Sequence, residues 1–172
     1  MRKFEDYLKV ILKHEGLYSN HPKDPGSSTM MGISLRFLKM KGIDINNDGD
    51  INIKDIKELT VEKASELYYK HFWLPMNIDK IPNDLLKLHL FDMCVNAGTK
   101  TAIKILQDLL NVNIDGIIGN QTLEAIEDYD SNIVADFANK RKEYYIKIIK
   151  RNPELSVFKK GWFNRVDSTY FR

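Results

Sequence analysis

The sequence predicts a mainly α fold, a compact helical body interrupted by one polar loop. Apolar residues recur at helical spacing in several segments. No segment shows the sustained alternation of a half-buried strand. No long Gly/Ser/Pro linker divides the chain. With 172 residues, 43% hydrophobic and 29% charged, the chain can bury a core, which excludes wholesale disorder. That length predicts one domain or two small interdependent modules. The division expected is residues 1–88 and 89–172, packed as one body.

Phe4, Tyr7, Leu8, Ile11 and Leu12 form the apolar stripe of a first helix, which Gly16 stops. Residues 17–32 read as loop from their Pro, Gly, Ser and Asn. A short helix is expected over Ser34–Lys41, then a polar loop over 44–55. Thr60 is placed to cap a helix running through Tyr68 and Phe72, ended by Trp73-Leu74-Pro75. Pro82 opens the next helix, broken at Gly98, and another covers Thr99–Leu110. Residues 120–128 and 132–151 read as helical. A short helix follows Pro153, and the chain closes on Phe158, Trp162, Phe163, Tyr170 and Phe171.

Composition excludes several classes. One Cys allows no disulfide framework within a monomer, and four His with one Cys make zinc or iron–sulfur chemistry a poor fit. No apolar run is long enough to span a membrane, so no stable membrane insertion is expected. Glu5, Asp6, Lys9 and Lys13 interrupt the N-terminal segment, which therefore reads as a helix and not as a secretory signal. The net charge of +2 gives no reason to expect nucleic-acid binding. Charge is unevenly spread, however. Between Lys104 and Lys140 there is no Lys or Arg, whereas from Lys140 onward ten Lys or Arg face three acidic residues. The basic tail suits either an anionic polymer or the acidic helices beside it.

The first chemical constellation is Glu15, Asp24 and Thr29. Glu15 follows Ile11 by four residues, on the core-facing stripe and in the last helical turn. Partial burial and the helix dipole there both disfavour a carboxylate, as suits a general acid. Asp24 and Thr29 lie on the following loop, where a carboxylate and a hydroxyl can hold a water opposite the acid. That is the layout for hydrolysing a glycosidic bond. Asp24 before Pro25 also suits a plain turn, and Thr29 a loop-satisfying role.

The second constellation is Asp44-Ile45-Asn46-Asn47-Asp48-Gly49-Asp50-Ile51-Asn52-Ile53-Lys54-Asp55. Oxygen side chains fall at positions 1, 3, 5, 7, 9 and 12 of an EF-hand loop, with Gly at 6. Position 12 is Asp, as in dockerin loops, which this one resembles. Asp44, Asn46, Asp48 and Asp55 would ligate Ca2+ by side chain, Asp50 by its carbonyl and Asn52 through water. The other reading is a solvated Asx-rich turn. Any ion would be structural.

The segment Glu15-Gly16…Asp24-Pro25-Gly26…Thr29-Met30-Met31-Gly32-Ile33 resembles the signature of glycoside hydrolase family 108, phage-type lysozymes also called secretion activators. It departs from it at Leu17, Ser27 and Met30. In the second half, Phe91-Asp92-Met93-Cys94-Val95-Asn96-Ala97-Gly98, Leu106-Gln107 and Asp115-Gly116-Ile117-Ile118-Gly119-Asn120-Gln121-Thr122 resemble the predicted peptidoglycan domain that accompanies that family. Asn120 is a candidate helix cap there. Arg141, Tyr144, Tyr145, Phe158, Gly161, Trp162 and Arg165 resemble its closing motifs.

The resemblance implies a lysozyme-like fold and an endolysin-type muramidase. Such an enzyme cleaves the β-1,4 bond between N-acetylmuramic acid and N-acetylglucosamine in bacterial peptidoglycan. Glu15 would be the acid, with Asp24 and Thr29 positioning water and Tyr18 and Asn96 contacting substrate. No cofactor is implied for catalysis; a Ca2+ ion in the loop at 44–55 would be structural. The expected protein is a monomer made in the bacterial cytoplasm, with peptidoglycan as partner and a holin-type export partner releasing it to the wall. Two alternatives stand beside this one: a lytic transglycosylase using Glu15 alone, and a non-catalytic calcium-dependent wall-binding module.

Overall fold

A computed structural model of the chain describes residues 2–16, 18–19 and 29–171, with residues 18 and 19 described by their backbone. The first helix, α1 (Phe4–Glu15), buries Tyr7, Leu8 and Ile11 and ends at Gly16, whose φ is 70°. Three two-residue strands follow: β1 (Tyr18–Ser19), β2 (Thr29–Met30) and β3 (Ile33–Ser34). They pair antiparallel in that order, with Ser19 opposite Thr29 and Thr29 opposite Ser34. The sequence reading had only loop here. Strands this short carry no alternation for a pattern to reveal.

Met31 and Gly32 join β2 to β3, with φ values of 50° and 77°. Positive φ at both central residues marks a tight, primed hairpin turn. This conformation is uncommon for a side chain such as Met. Two things hold Met31 in it: its 3% exposure, and the Tyr68 hydroxyl, which donates to the Met31 carbonyl at 2.8 Å.

α2 (Leu35–Lys41) starts where the Ser34 hydroxyl accepts from the Phe37 N–H at 3.1 Å. After the polar loop come α3 (Ile53–Lys57) and α4 (Val61–Tyr68), the latter capped by Thr60 as expected. Beyond Tyr68 the chain continues as a π-helical turn, Tyr69–Trp73, and a 3-10 turn, Leu74–Met76. α5 (Asp84–Ala97) begins at Asn83, whose side chain accepts from the N–H groups of Leu85 and Leu86, and stops at Gly98. Residues Leu86 to Cys94 are all buried, so α5 is the central helix and shows no one-sided pattern.

α6 (Thr99–Leu110), α7 (Asn120–Glu127), α8 (Ile133–Arg151), a 3-10 segment Pro153–Phe158 and α9 (Lys159–Asp167) complete the fold. Gly119 precedes α7, so Asn120 is its first helical residue and not the cap that the sequence suggested. One apolar cluster joins Tyr7 and Ile11 of α1, Tyr68, Phe91 of α5, Leu106 of α6, Phe137 of α8 and Val166 of α9. Each such side chain contributes about 1.5–3 kcal/mol on burial, so elements from both ends of the chain share one core. Among the described residues no helix is long and apolar enough to cross a membrane.

Candidate active site

Glu15 closes α1 and points its carboxyl into a corner made by three other parts of the chain. Its side chain is 18% exposed, and Oε1 lies 2.7 Å from Nη2 of Arg165 in α9. The β2–β3 turn packs on the other side. A Cβ added to Gly32 would lie 2.7 Å from Cγ and 2.9 Å from Cδ of Glu15, and would collide with the Tyr68 hydroxyl. Only glycine lets the turn approach the carboxyl this closely while holding a positive φ.

Arg165 is itself held by Asp92, a fully buried residue of α5. Asp92 Oδ1 accepts from Arg165 Nε at 2.9 Å and from His14 Nδ1 at 3.1 Å. Its Oδ2 faces the Arg141 guanidinium and the Thr169 hydroxyl. Burial alone would raise the Asp92 pKa. The His14 hydrogen bond and the charges of Arg141 and Arg165 outweigh it, and the carboxyl is held well below the usual range. Burial works against the charge on Arg165, but the carboxylates of Asp92 and Glu15 overcome it and keep the guanidinium protonated. One arginine thus bridges a buried structural carboxylate and the candidate acid.

His14 also meets Ser168 Oγ through Nε2 at 3.2 Å, so Ser168, His14 and Asp92 stand in the order of a serine-hydrolase triad. The surroundings do not support that chemistry. The N–H groups of Ser168, Thr169 and Tyr170 are spent on the carbonyls of Asn164, Val166 and Ser168, so that turn offers no backbone oxyanion site. The chain of contacts orients Asp92 and, through it, Arg165. A buried imidazole, His89, sits on the far side of this network. Its Nδ1 lies 2.9 Å from Arg141 Nη1. Arginine only donates, so Nδ1 is the acceptor and the proton of the neutral ring sits on Nε2. Burial and the neighbouring Arg141 push the His89 pKa down to about 4.

The other expected site residues fall as follows. Thr29 is on β2, the strand that enters the turn packed on Glu15. Tyr18 is on β1, and its side chain lies outside the described residues, as does all of Asp24. Asn96 is exposed one turn after Asp92, and its Oδ1 accepts from the Tyr145 hydroxyl at 2.8 Å. Tyr145 is buried and stacks on Trp162 at 4.9 Å, so these two aromatics pack against each other. Sequence reasoning quoted Arg165, Asp92 and Gly32 within motifs but gave Arg165 and Gly32 no role at Glu15, and it missed His14 and Tyr68. The closing motif and the basic excess of the tail were the signals pointing toward Arg165.

The loop from Asp44 to Asp55 closes on its own backbone. Asp44 accepts from the N–H groups of Asn47 and Gly49 at 2.7 and 2.8 Å. Asp55, fully buried, accepts from Ile45 and Asn52 at 2.7 and 2.8 Å, and these bonds outweigh burial to lower its pKa. Asn46 Oδ1 and Asp48 Oδ1 accept from the N–H groups of Asp48 and Asp50, and Asp50 accepts from the Asn52 amide. Among the described residues, no three His, Cys, Asp or Glu side chains converge as a metal site.

The Asp-Gly-x-x-Gly-x-x-Thr motif is organised by Gln107 of α6. Its amide donates to Asp115 Oδ1 and the Ile117 carbonyl, while its Oε1 accepts from the Gly116 N–H at 2.8 Å. With Gln107 buried, the motif is a folded turn that fixes the start of α7.

The model of the glycosyl hydrolase 108 family matches residues 8–98, more than half of the chain. The chain belongs to the glycosyl hydrolase 108 family. The model of the Predicted Peptidoglycan domain matches residues 101–167 of this family 108 protein, so the two meet at the start of α6. The solved structure of SagA from Brucella abortus is similar, with a TM-score of 0.80 and 29% identity over 96% of this chain and 90% of that one. Among curated proteins no match was found. The family 108 protein is thus an enzyme with a lysozyme-type fold, a glycoside hydrolase that degrades peptidoglycan. The non-catalytic reading falls with that assignment.

Proposed function

We propose that this hydrolase is a muramidase that cleaves the β-1,4 bond between N-acetylmuramic acid and N-acetylglucosamine. The observation that carries the reading is the placement of Glu15, a carboxyl fixed by Arg165 on one side and by the Gly32 turn on the other. In its protonated form Glu15 gives its proton to the glycosidic oxygen. The Arg165 guanidinium is placed to receive the charge that Glu15 gains in that step, a stabilisation that grows as the bond breaks. Thr29 and Asp24 hold the attacking water on the opposite face of the sugar, and Asp24 supplies the charge that answers the oxocarbenium-like transition state. Clearing of a purified peptidoglycan suspension, followed by turbidity, tests the assignment. Glu15→Gln should abolish clearing, and clearing at the parental rate would end the role of Glu15.

The loop at 44–55 supports a second, structural part of the proposal, Ca2+ binding. Gly49 at position 6 has a φ of 89°, the sharp turn such a loop requires, and Asp55 ties the loop's entry to its exit. Asp44, Asn46, Asp48 and Asp55 would hold the ion by side chain, and Asp50 by its carbonyl. The loop already closes through its backbone hydrogen bonds, so the ion would tighten the connection from α2 to α3 without taking part in hydrolysis. Calorimetric titration of chelator-treated protein with Ca2+ checks this. Absence of heat, together with an unmoved Tm, would retire it.

A further inference from the structure

A cleft lies on the face of α1 roughly opposite Glu15. It encloses about 300 Å3 and is walled by Arg2, Lys9, Lys13, His14, Ser168 and Phe171, with Asp6 as its carboxylate. Residues 6, 9, 10 and 13 of α1 fall on one face, roughly half a turn from Glu15. Three cations against one acid leave the cleft positive. The Arg2 guanidinium lies 3.9 Å from the centre of the Phe171 ring, an aromatic seat for its charge. Lys9 reaches Asp6 only at 3.9 Å and is 79% exposed, so that pair neutralises little. The polar wall is rigid, because His14 is anchored on Asp92 and meets Ser168 at 3.2 Å.

We propose that this cleft takes a carboxylate of the peptide stem that the peptidoglycan glycan carries. The hydrolase would then grip the sugar chain on one side of α1 and the stem on the other. The inference rests on the peptidoglycan reading above. An α-helix is about 10 Å across with its side chains. An extended stem of about five residues spans roughly 17 Å, more than the width of the helix. Once the glycan is seated, the stem is tethered, and its effective concentration at the cleft reaches about the millimolar range. Lysine–carboxylate contacts that are weak in free solution are then sufficient.

The test compares glycan strands bearing intact stems with the same strands after amidase removal of the stems. Both are offered to the parent protein and to a Lys9→Gln/Lys13→Gln variant, with thermal melts confirming that the variant folds. The parent should show a KM about three- to tenfold lower on the stem-bearing strands. The variant should lose that advantage and match the parent on bare strands. Equal KM values for the parent on both substrates would overturn the proposal, as would a variant slowed equally on both. Selective binding of the parent to isolated wall phosphodiester chains, without any stem effect, would reassign the cleft and also overturn it. A parent that cleaves neither substrate would overturn the hydrolase reading and this proposal with it.

Discussion

Arg165 and Glu15, from opposite ends of the chain, meet at 2.7 Å, and the same guanidinium lies 2.8 Å from Asp92. The segment matched by the Predicted Peptidoglycan domain therefore supplies a residue to the candidate active site of the hydrolase segment. Activity should depend on it directly. Arg165→Ala should lower kcat by about 100- to 1,000-fold, the range seen when one group that stabilises developing charge is removed. Arg165→Lys should recover only part of this, because a single ammonium cannot span both carboxylates as a guanidinium does. Steady-state kinetics on solubilised peptidoglycan separates kcat from KM.

Asp92 should matter more for folding. It is fully buried and faces Arg141, Arg165 and His14. Removing one partner of a buried charge cluster costs about 3–5 kcal/mol. Asp92→Asn should lower stability by that order in urea denaturation, and Asp92→Ala at least as much. A loss below about 1 kcal/mol would fall in the range of exposed ion pairs and contradict the hub role.

The turn at Gly32 gives a steric prediction. Gly32→Ala places a methyl group 2.7 Å from Glu15 Cγ, where either the turn or the carboxyl must move. Overpacking of this kind costs about 1–3 kcal/mol, and the positive φ adds to it. Activity should fall well beyond the stability loss, measured at a temperature where the variant remains folded. Parental activity would mean that the carboxyl's placement tolerates displacement.

His89 predicts a pH dependence of stability. Its folded pKa is about 4, below the ordinary value, because burial and Arg141 favour the neutral ring. The unfolded chain, with a pKa of about 6.5, takes up a proton first as pH falls. The contribution is therefore present above about pH 6.5 and lost as pH drops toward 4, with about 2 kcal/mol gone by pH 5. His71, whose pKa burial also lowers, acts in the same direction. Urea midpoints at pH 7 and pH 5 give the slope. His89→Asn keeps an acceptor near Arg141 but cannot titrate in this range, so it should flatten that slope.

The helices were legible because their signals are local. Gly98 and Asn111 bracket α6, and the Thr60 cap and the Pro153 restart behave as their chemistry requires. The small sheet was not legible, since two residues per strand leave no period. Glu15 stood out through its position four residues after Ile11 and its loop partners. Its setting did not, because the Arg165 charge arrives from the far end of the chain and Asp92 hides in a helix buried on every side. The expectation built on burial and the helix dipole omitted that cation. The conformation of Met31 depends on Tyr68, another long-range contact that no spacing rule reports.

The central claim is hydrolysis of the muramic acid–glucosamine bond through Glu15. Mass spectrometry of the muropeptides released from purified peptidoglycan by the parent and by Glu15→Gln tests it most directly. The account predicts products with hydrated, reducing N-acetylmuramic acid ends from the parent and none from the variant. Anhydro-muramic acid ends would contradict it in favour of a lytic transglycosylase, and N-acetylglucosamine reducing ends would move the cut to the other bond.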